Sequence, residues 1–132
     1  MTPMSSIHHV ILCVKQLERS RAAYGWLLPS LGFTERQDFG DFSGWSSAHG
    51  RVWIRPEDPQ YSSDRFSKDR VGLCELAFLA PSRAAVDALA EAVVAHGFTI
   101  LNAPAEYPYS PGYYALFFSD PDGIKLEYAY AP

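Results

Sequence analysis

The chain has 132 residues, of which 48% are hydrophobic, and a formal net charge of −4. This length and composition are typical of one globular domain with an ordinary hydrophobic core. The sequence contains no run of lysine or arginine and no apolar stretch near the roughly 20 residues that span a bilayer, so we expect a cytoplasmic protein that binds neither nucleic acid nor membrane.

The first half of the chain predicts a strand, a helix and three further strands. The segment Ile7-His-His-Val-Ile-Leu-Cys-Val14 is rich in β-branched residues, and strand alternation places His9 and Cys13 on the same face. From residue 17 to residue 31 the apolar residues recur at helical spacing, and Gly32 follows as a stop signal. Three short strands are predicted around 33–37, 42–48 and 51–55.

The second half predicts the same order of elements. Its elements are a strand at 73–80, a helix at 82–96, and strands at 98–101, 113–118 and 124–130, with a loop at 102–110. Ser82 has the residue type of a helix N-cap. Asp120-Pro-Asp-Gly123 has the composition of a tight turn, so the last two strands are predicted to form a hairpin.

Two similar modules therefore follow one another, at about 6–55 and 72–130, joined by a polar loop at 56–71. Aligning them places His9 opposite Glu75 and Ile54 opposite Glu127. Each module alone would leave a four-stranded sheet with one uncovered face. We therefore expect a single α+β domain in which two βαβββ modules form a curved eight-stranded mixed sheet around a cavity, with the helices outside.

Glu127 is the most unusual residue of the closing hairpin. It lies in the middle of a predicted strand, between Leu126 and Tyr128. An ionised carboxylate in such surroundings is costly unless a partner compensates its charge, so Glu127 is a candidate functional residue. Cys13 and Cys74 form no CxxC motif and fall inside predicted strands, so both are expected to be small buried hydrophobes without a functional role.

Two stretches carry a resemblance to a known family. Ile7-His-His-Val10 and the long segment from Pro111-Gly-Tyr-Tyr to Ile124-Lys-Leu-Glu127 are similar to the corresponding parts of the vicinal-oxygen-chelate superfamily, which includes glyoxalase I, extradiol dioxygenases and bleomycin-resistance proteins. The resemblance covers essentially the whole chain. It implies a glyoxalase-like, divalent-metal-dependent enzyme of lyase, isomerase or dioxygenase type that acts on a small vicinal-dioxygen substrate and forms a homodimer.

In that superfamily the first and fourth strands of each half supply the ligands of a divalent metal. Carried over by position, these sites are His9, Ile54, Glu75 and Glu127. Ile54 cannot bind a metal, and Glu75 stands where a histidine is usual. The resemblance therefore implies a metal site of His9, Glu75 and Glu127, a set that suits Mn²⁺, Fe²⁺, Co²⁺, Ni²⁺ or Zn²⁺. Glu75 and Glu127 are also the candidate catalytic residues, Glu75 as a base that moves a proton beside a carbonyl.

The alternative is a metal-free protein of the bleomycin-resistance type that binds a drug or another aromatic ligand. In that case His9 pairs with one of the two carboxylates, and the closeness of Glu75 and Glu127 would raise the pKa of one of them. The candidate substrate-binding residues are Trp53, Tyr109, Tyr113 and Tyr114. Arg51 and Arg55 are interpreted as solvated strand ends, with contact to an anionic substrate as the alternative.

Overall fold

The computed structural model describes residues 3–132, and it divides into two compact units with the boundary between Ser62 and Ser63. Within these residues each unit contains one four-stranded sheet and one α-helix. The boundary falls in the polar loop predicted at 56–71, where a short 3₁₀ helix occupies Pro59–Tyr61. The α+β class and the two βαβββ modules are confirmed. Their joining into one domain with an eight-stranded sheet stays a prediction.

The first unit contains the five elements that its sequence predicts. They are β1 (His9–Val14), α1 (Leu17–Ser30), β2 (Glu35–Phe39), β3 (Phe42–Ser47) and β4 (Gly50–Pro56). The order across the sheet is β1-β4-β3-β2, with β1 parallel to β4 and the other neighbours antiparallel. The helix lies against β3 and β4 on one face of this sheet. The opposite face carries the side chains described below as a groove.

The end of α1 follows the predicted stop signal. Pro29 lies in the last turn, and the helix continues to Ser30. Gly32 has a φ of 97°, a conformation that is easily adopted only without a side chain. The Phe33 amide then donates to the Leu28 carbonyl at 2.9 Å, the bond that closes a Schellman motif. This ending turns the chain back toward β2.

The second unit repeats the arrangement of the first. Its elements are β5 (Leu76–Leu79), α2 (Arg83–Ala92), β6 (Thr99–Glu106), β7 (Tyr114–Ser119) and β8 (Lys125–Tyr130), with a short 3₁₀ helix (Val93–His96) after α2. The order is β5-β8-β7-β6, with β5 parallel to β8 and the rest antiparallel. Ser82 is the N-cap of α2, because its hydroxyl accepts a hydrogen bond from the Ala85 amide at 3.1 Å. No helix within residues 3–132 is long and apolar enough to cross a membrane.

Two strands of this unit differ from the prediction. β6 continues to Glu106, through part of the segment predicted as a loop, and its pairing with β7 shifts on either side of Asn102. The irregular stretch contains Pro104, which has no amide to donate, and such bulges accommodate proline in a strand. β5 begins only at Leu76, so Glu75 lies just before the strand.

The predicted burial of the two cysteines was wrong. Cys13 and Cys74 are free and exposed. In β1 the buried side chains are Leu12 and Val14, so Cys13 points to the face opposite α1. Cys74 precedes β5 and belongs to no strand.

Candidate functional site

Glu127 lies in the middle of the second sheet. β8 is paired on both sides, which places Glu127 opposite Phe117 of β7 and Ala77 of β5. Its side chain is only 5% exposed. Alternation along β8 turns Leu126 and Tyr128 toward the α2 side, so Glu127 occupies the other face of the sheet. The carboxyl group therefore needs partners on that face.

Tyr113 is the first of these partners. Its hydroxyl donates a hydrogen bond to Glu127 Oε2. Burial, followed by this bond, raises the pKa of Tyr113 well above its usual value. The phenol is therefore a neutral hydrogen-bond donor across the physiological pH range, and it fixes the orientation of the Glu127 carboxyl.

Glu75 is the second partner, and its own carboxylate is not fully hydrogen-bonded. With both acids ionised, its Oε2 atom is buried without a hydrogen-bond donor among residues 3–132. Its Oε1 atom lies 3.9 Å from Lys125 Nζ, at the outer limit of an ion pair. The same ammonium lies 4.8 Å from the centre of the Phe117 ring. The positive charge of Lys125 is thus shared between a ring face and a distant carboxylate oxygen.

The closeness of the two acids changes the protonation of Glu127. Burial and a hydrogen bond with the Glu75 carboxyl raise the pKa of Glu127 to about 7, against a smaller lowering by the Tyr113 hydroxyl. A hydrogen bond between two carboxyl groups requires a proton on one of them. Glu127 can therefore gain or lose a proton near neutral pH, as an acid–base group or a metal ligand must.

Aromatic rings surround the Tyr113 side of this cluster. Tyr107 stacks on Tyr109 with 5.4 Å between ring centres and meets Phe117 edge to face at 5.2 Å. Tyr109 in turn meets Tyr113 edge to face at 5.2 Å. Of the four predicted substrate-binding residues, Tyr113 thus contacts Glu127, and Tyr109 packs against Tyr113.

Tyr114 lies elsewhere. Its hydroxyl donates to Asp87 Oδ1 at 2.6 Å, and its ring carries the Arg83 guanidinium at 4.7 Å. Both partners belong to α2, on the face of the sheet opposite Glu127. Because Tyr113 and Tyr114 are adjacent, strand alternation turns their side chains to opposite faces of the sheet. Tyr114 is therefore separated from the Glu127 cluster.

His9 and Trp53 belong to the first unit, where they line a groove of about 410 Å³ on the face opposite α1. His9 is exposed and faces Arg51 across the β1–β4 pairing. The Nδ1 atoms of His8 and His9 share a hydrogen bond of 2.8 Å. That bond leaves Nε2 of His9 as its free ring nitrogen for a ligand.

Ile54 does not occupy the position that the sequence alignment assigned to it. It is fully buried and alternates with Trp53, so its side chain points to the α1 side of the sheet. If His9 corresponds to Glu75, then Val10 corresponds to Leu76. Val10 pairs with Val52, and Leu76 pairs with Leu126, so Val52 corresponds to Leu126. The next residue of each strand follows, which makes Trp53 the counterpart of Glu127. The fourth expected metal-ligand position is therefore occupied by Trp53 and not by Ile54, and neither side chain can bind a metal.

The position of the Trp53 indole ring depends on a glycine of the neighbouring strand. A Cβ atom added to Gly44 would lie 2.4 Å from Cδ2 of the Trp53 indole. Gly44 was not among the candidate site residues predicted from the sequence, nor were Phe39 and Phe42, which complete the groove. A glycine in mid-strand is the signal for such a close approach.

Replacing Gly44 by alanine is expected to displace the Trp53 ring and lower the free energy of unfolding by about 1–3 kcal/mol through overpacking. Urea denaturation followed by tryptophan fluorescence measures this. The control is Gly25→Ala in α1, because its added Cβ makes only an ordinary 3.6 Å contact with Trp45. Equal stability of the Gly44→Ala variant and the parent would show that the Trp53 indole does not pack closely against Gly44.

The predicted metal set is divided between the two units. His9 lies in the first, and Glu75 and Glu127 lie in the second. Within either unit the described residues contain no group of three or more His, Cys, Asp or Glu side chains that could hold a metal ion. The three-ligand set therefore stays a prediction.

Comparison with known proteins identifies the family. The model of the Glyoxalase/Bleomycin resistance protein/Dioxygenase superfamily matches residues 6–128, and the chain belongs to that superfamily. The uncharacterized protein YqjT of Bacillus subtilis (strain 168) is 35% identical over 123 residues, which are 92% of this chain and 95% of YqjT. The predicted superfamily is thus confirmed by sequence.

Solved structures agree with this assignment. The crystal structure of a glyoxalase-family protein from Bacillus halodurans is 32% identical, with a TM-score of 0.82 and 95% of each chain covered. A glyoxalase/bleomycin resistance protein from Albidiferax ferrireducens T118 is 26% identical, with a TM-score of 0.76 over 94% of this chain and 97% of the other. Superfamily members often use divalent metals and bind small molecules, and the family model covers residues 6–128 of this chain.

Proposed function

We propose that the chain is a divalent-metal-dependent enzyme of lyase, isomerase or dioxygenase type that acts on a small vicinal-dioxygen substrate. The observation that carries this proposal is the pair of carboxyl groups in the second unit. Glu127 is buried beside Glu75, and one oxygen of Glu75 is buried without a partner. Two acids arranged in this way are costly as a structural device and suit a cation that binds both.

The residues fit a divalent cation of the Mn²⁺ to Zn²⁺ series. Glu75 and Glu127 would supply oxygen ligands, and His9 is proposed as the nitrogen ligand. The bond between His8 and His9 uses Nδ1, which matches the usual arrangement in which a ligating histidine is oriented through its other ring nitrogen. A cation bound there would act as a Lewis acid toward two adjacent substrate oxygens.

In this proposal Glu75 has a second role besides binding the cation, and other side chains position Glu127 and exclude water. Glu75, with its unpartnered oxygen, is the base that takes a proton from the carbon next to a carbonyl. Tyr113 is a positioning residue, because its hydroxyl holds the Glu127 carboxyl in place. Tyr109 and Phe117 supply apolar surface that keeps water from this side of the cluster.

A metal-free ligand-binding protein of the bleomycin-resistance type is the second candidate. Two observations favour it. The Tyr113 hydroxyl already satisfies one oxygen of Glu127 without a cation, and the groove lined by Phe39, Phe42 and Trp53 offers an aromatic surface to a ligand. This candidate requires no turnover and no bound metal.

We further propose a cytoplasmic homodimer that takes a small molecule as its ligand. All five residues of β2 are exposed, and among residues 3–132 its one strand partner is β3. An edge strand of this kind offers unpaired backbone groups to a second copy of the chain.

Turnover assays with the metal-loaded protein test the enzymatic proposal. The substrates are a panel of 2-oxo acids, α-hydroxy ketones and catechols, each assayed after addition of Mn²⁺, Fe²⁺, Co²⁺, Ni²⁺ or Zn²⁺. We expect turnover that a chelator abolishes and that Glu75→Gln lowers by about 100-fold or more, because this variant lacks both the proposed general base and one of the proposed metal ligands. Glu91→Gln, an exposed substitution on α2, is the control and should retain full turnover. Activity that survives chelation would contradict the metal requirement, and ligand binding without any turnover would favour the second candidate.

A further inference from the structure

We infer that the open face of the first sheet binds a small aromatic carboxylate, with the aromatic ring in the groove beside Trp53 and the carboxylate at Arg51. The inference deepens the proposed function, and it rests on that function in one respect: the aromatic carboxylate is taken to be the substrate of the proposed enzyme. The observations that lead to it are independent of any metal.

The first observation is the apolar surface of the groove. Phe39 is 75% exposed and Ile11 is 46% exposed, although both are large apolar side chains. Phe42 and Trp53 complete the aromatic lining. The volume of about 410 Å³ falls within the range of ordinary small-molecule sites. Adjacent exposed apolar side chains around such a groove are typical of a binding surface rather than of a solvated face.

The second observation is the position of Arg51. It lines the apolar groove and also a neighbouring polar cavity of about 380 Å³ that contains His8 and His49. A ligand whose ring fills the groove would therefore place a substituent at the Arg51 guanidinium. Arg51 is the side chain that lies where the apolar half of this face meets the polar half.

The third observation is the charge of this face. Neither cavity is lined by an aspartate or glutamate among the described residues, although the whole chain has a formal net charge of −4. Arg51 makes no ion pair within residues 3–132. Glu35 is the acidic residue of β2 on this face, and it lies two strands away, opposite Ser46.

The chemistry of the two halves defines the ligand. A planar guanidinium without a partner binds a carboxylate through two parallel hydrogen bonds. The aromatic rings favour a flat, apolar ligand body, and Arg55, which lies over the Phe42 ring at 5.7 Å, adds positive charge to the same face. A cationic aromatic compound would meet the like charges of Arg51 and Arg55 beside the groove, so the face selects against it.

Calorimetric titration of the metal-free protein, in the presence of chelator, tests this inference. The probes are 2-naphthoate and 2-naphthylmethylamine, which share a ring system and differ in the sign of their charge. We expect naphthoate to bind about tenfold or more tightly than the amine, because the charge-assisted bonds to Arg51 are available only to the anion. Arg51→Gln should weaken naphthoate by a similar factor, and Arg70→Gln, an exposed substitution outside both cavities, should leave its affinity unchanged.

The comparison of the two probes needs no variant, so it holds even where Arg51→Gln folds poorly. Equal affinity for the two probes, no binding of naphthoate, or unchanged naphthoate affinity in the Arg51→Gln variant would overturn the inference. The metal content of the protein before chelation reports separately on the proposed enzyme. Naphthoate binding by a protein that neither retains nor takes up a divalent metal would support this inference and contradict the metal-dependent function.

Discussion

Replacing Glu127 by glutamine is expected to abolish a pH dependence of folding stability in the metal-free protein. The pKa of Glu127 is raised in the folded chain from 4.5 to about 7. Between these values the folded state binds more protons at this site than the unfolded state, so stability falls as the pH rises through this interval. At about 1.4 kcal/mol per pKa unit, the parent loses up to about 3 kcal/mol between pH 4 and pH 8.

The measurement is the free energy of unfolding in urea, with chelator present, at pH values from 4 to 8. Glutamine is neutral throughout and can still accept the Tyr113 hydrogen bond, so the parent and the variant should differ least at pH 4. At pH 8 the variant should be the more stable of the two. The control is Glu91→Gln, whose profile should follow that of the parent. Parallel profiles for the parent and Glu127→Gln would show that Glu127 titrates alike in the folded and unfolded chain.

Much of the fold follows from local patterns in the sequence. Strand alternation, the helical spacing of apolar residues and the glycine after α1 act over a few residues, and each was visible without tertiary information. The repeated order of elements then predicted two modules of one strand, one helix and three strands. The structure contains both modules, and the family match covers residues 6–128.

The errors come from register, which local patterns do not set. The alignment of the two halves on their turn glycines placed Ile54 opposite Glu127, whereas strand pairing makes Trp53 its counterpart. A shift of one residue reverses the face of every side chain in a strand. The exposure of Cys13 has a related cause, because only one face of β1 carries buried side chains.

The candidate site was predictable in part. A carboxylate in the middle of a buried strand identified Glu127, because its burial is costly in any fold. The hydroxyl that meets it comes from Tyr113, just before β7, and the sequence offered four tyrosines between residues 107 and 114 without a means to choose. The groove of the first unit depends on Phe39 and Phe42, which the β2–β3 pairing brings opposite each other. The predicted strand ended before Phe39, so the sequence analysis could not place them together.

Glu127 is proposed to help hold a divalent cation, and this makes the metal content of the purified protein depend on its carboxylate. The protein is purified without chelator and analysed for its elements, beside Glu127→Gln and the Glu91→Gln control. Mn²⁺, Fe²⁺, Co²⁺, Ni²⁺ and Zn²⁺ are then added back in turn, followed by removal of the unbound ion.

We expect roughly one divalent ion per chain in the parent and in Glu91→Gln. Glu127→Gln should lose that ion, since removal of one anionic ligand from a three-ligand site weakens metal affinity severely. His9→Gln and Glu75→Gln should lose the ion as well. A parent that neither retains nor takes up any of the five ions, or a Glu127→Gln variant that retains as much metal as the parent, would contradict the claim.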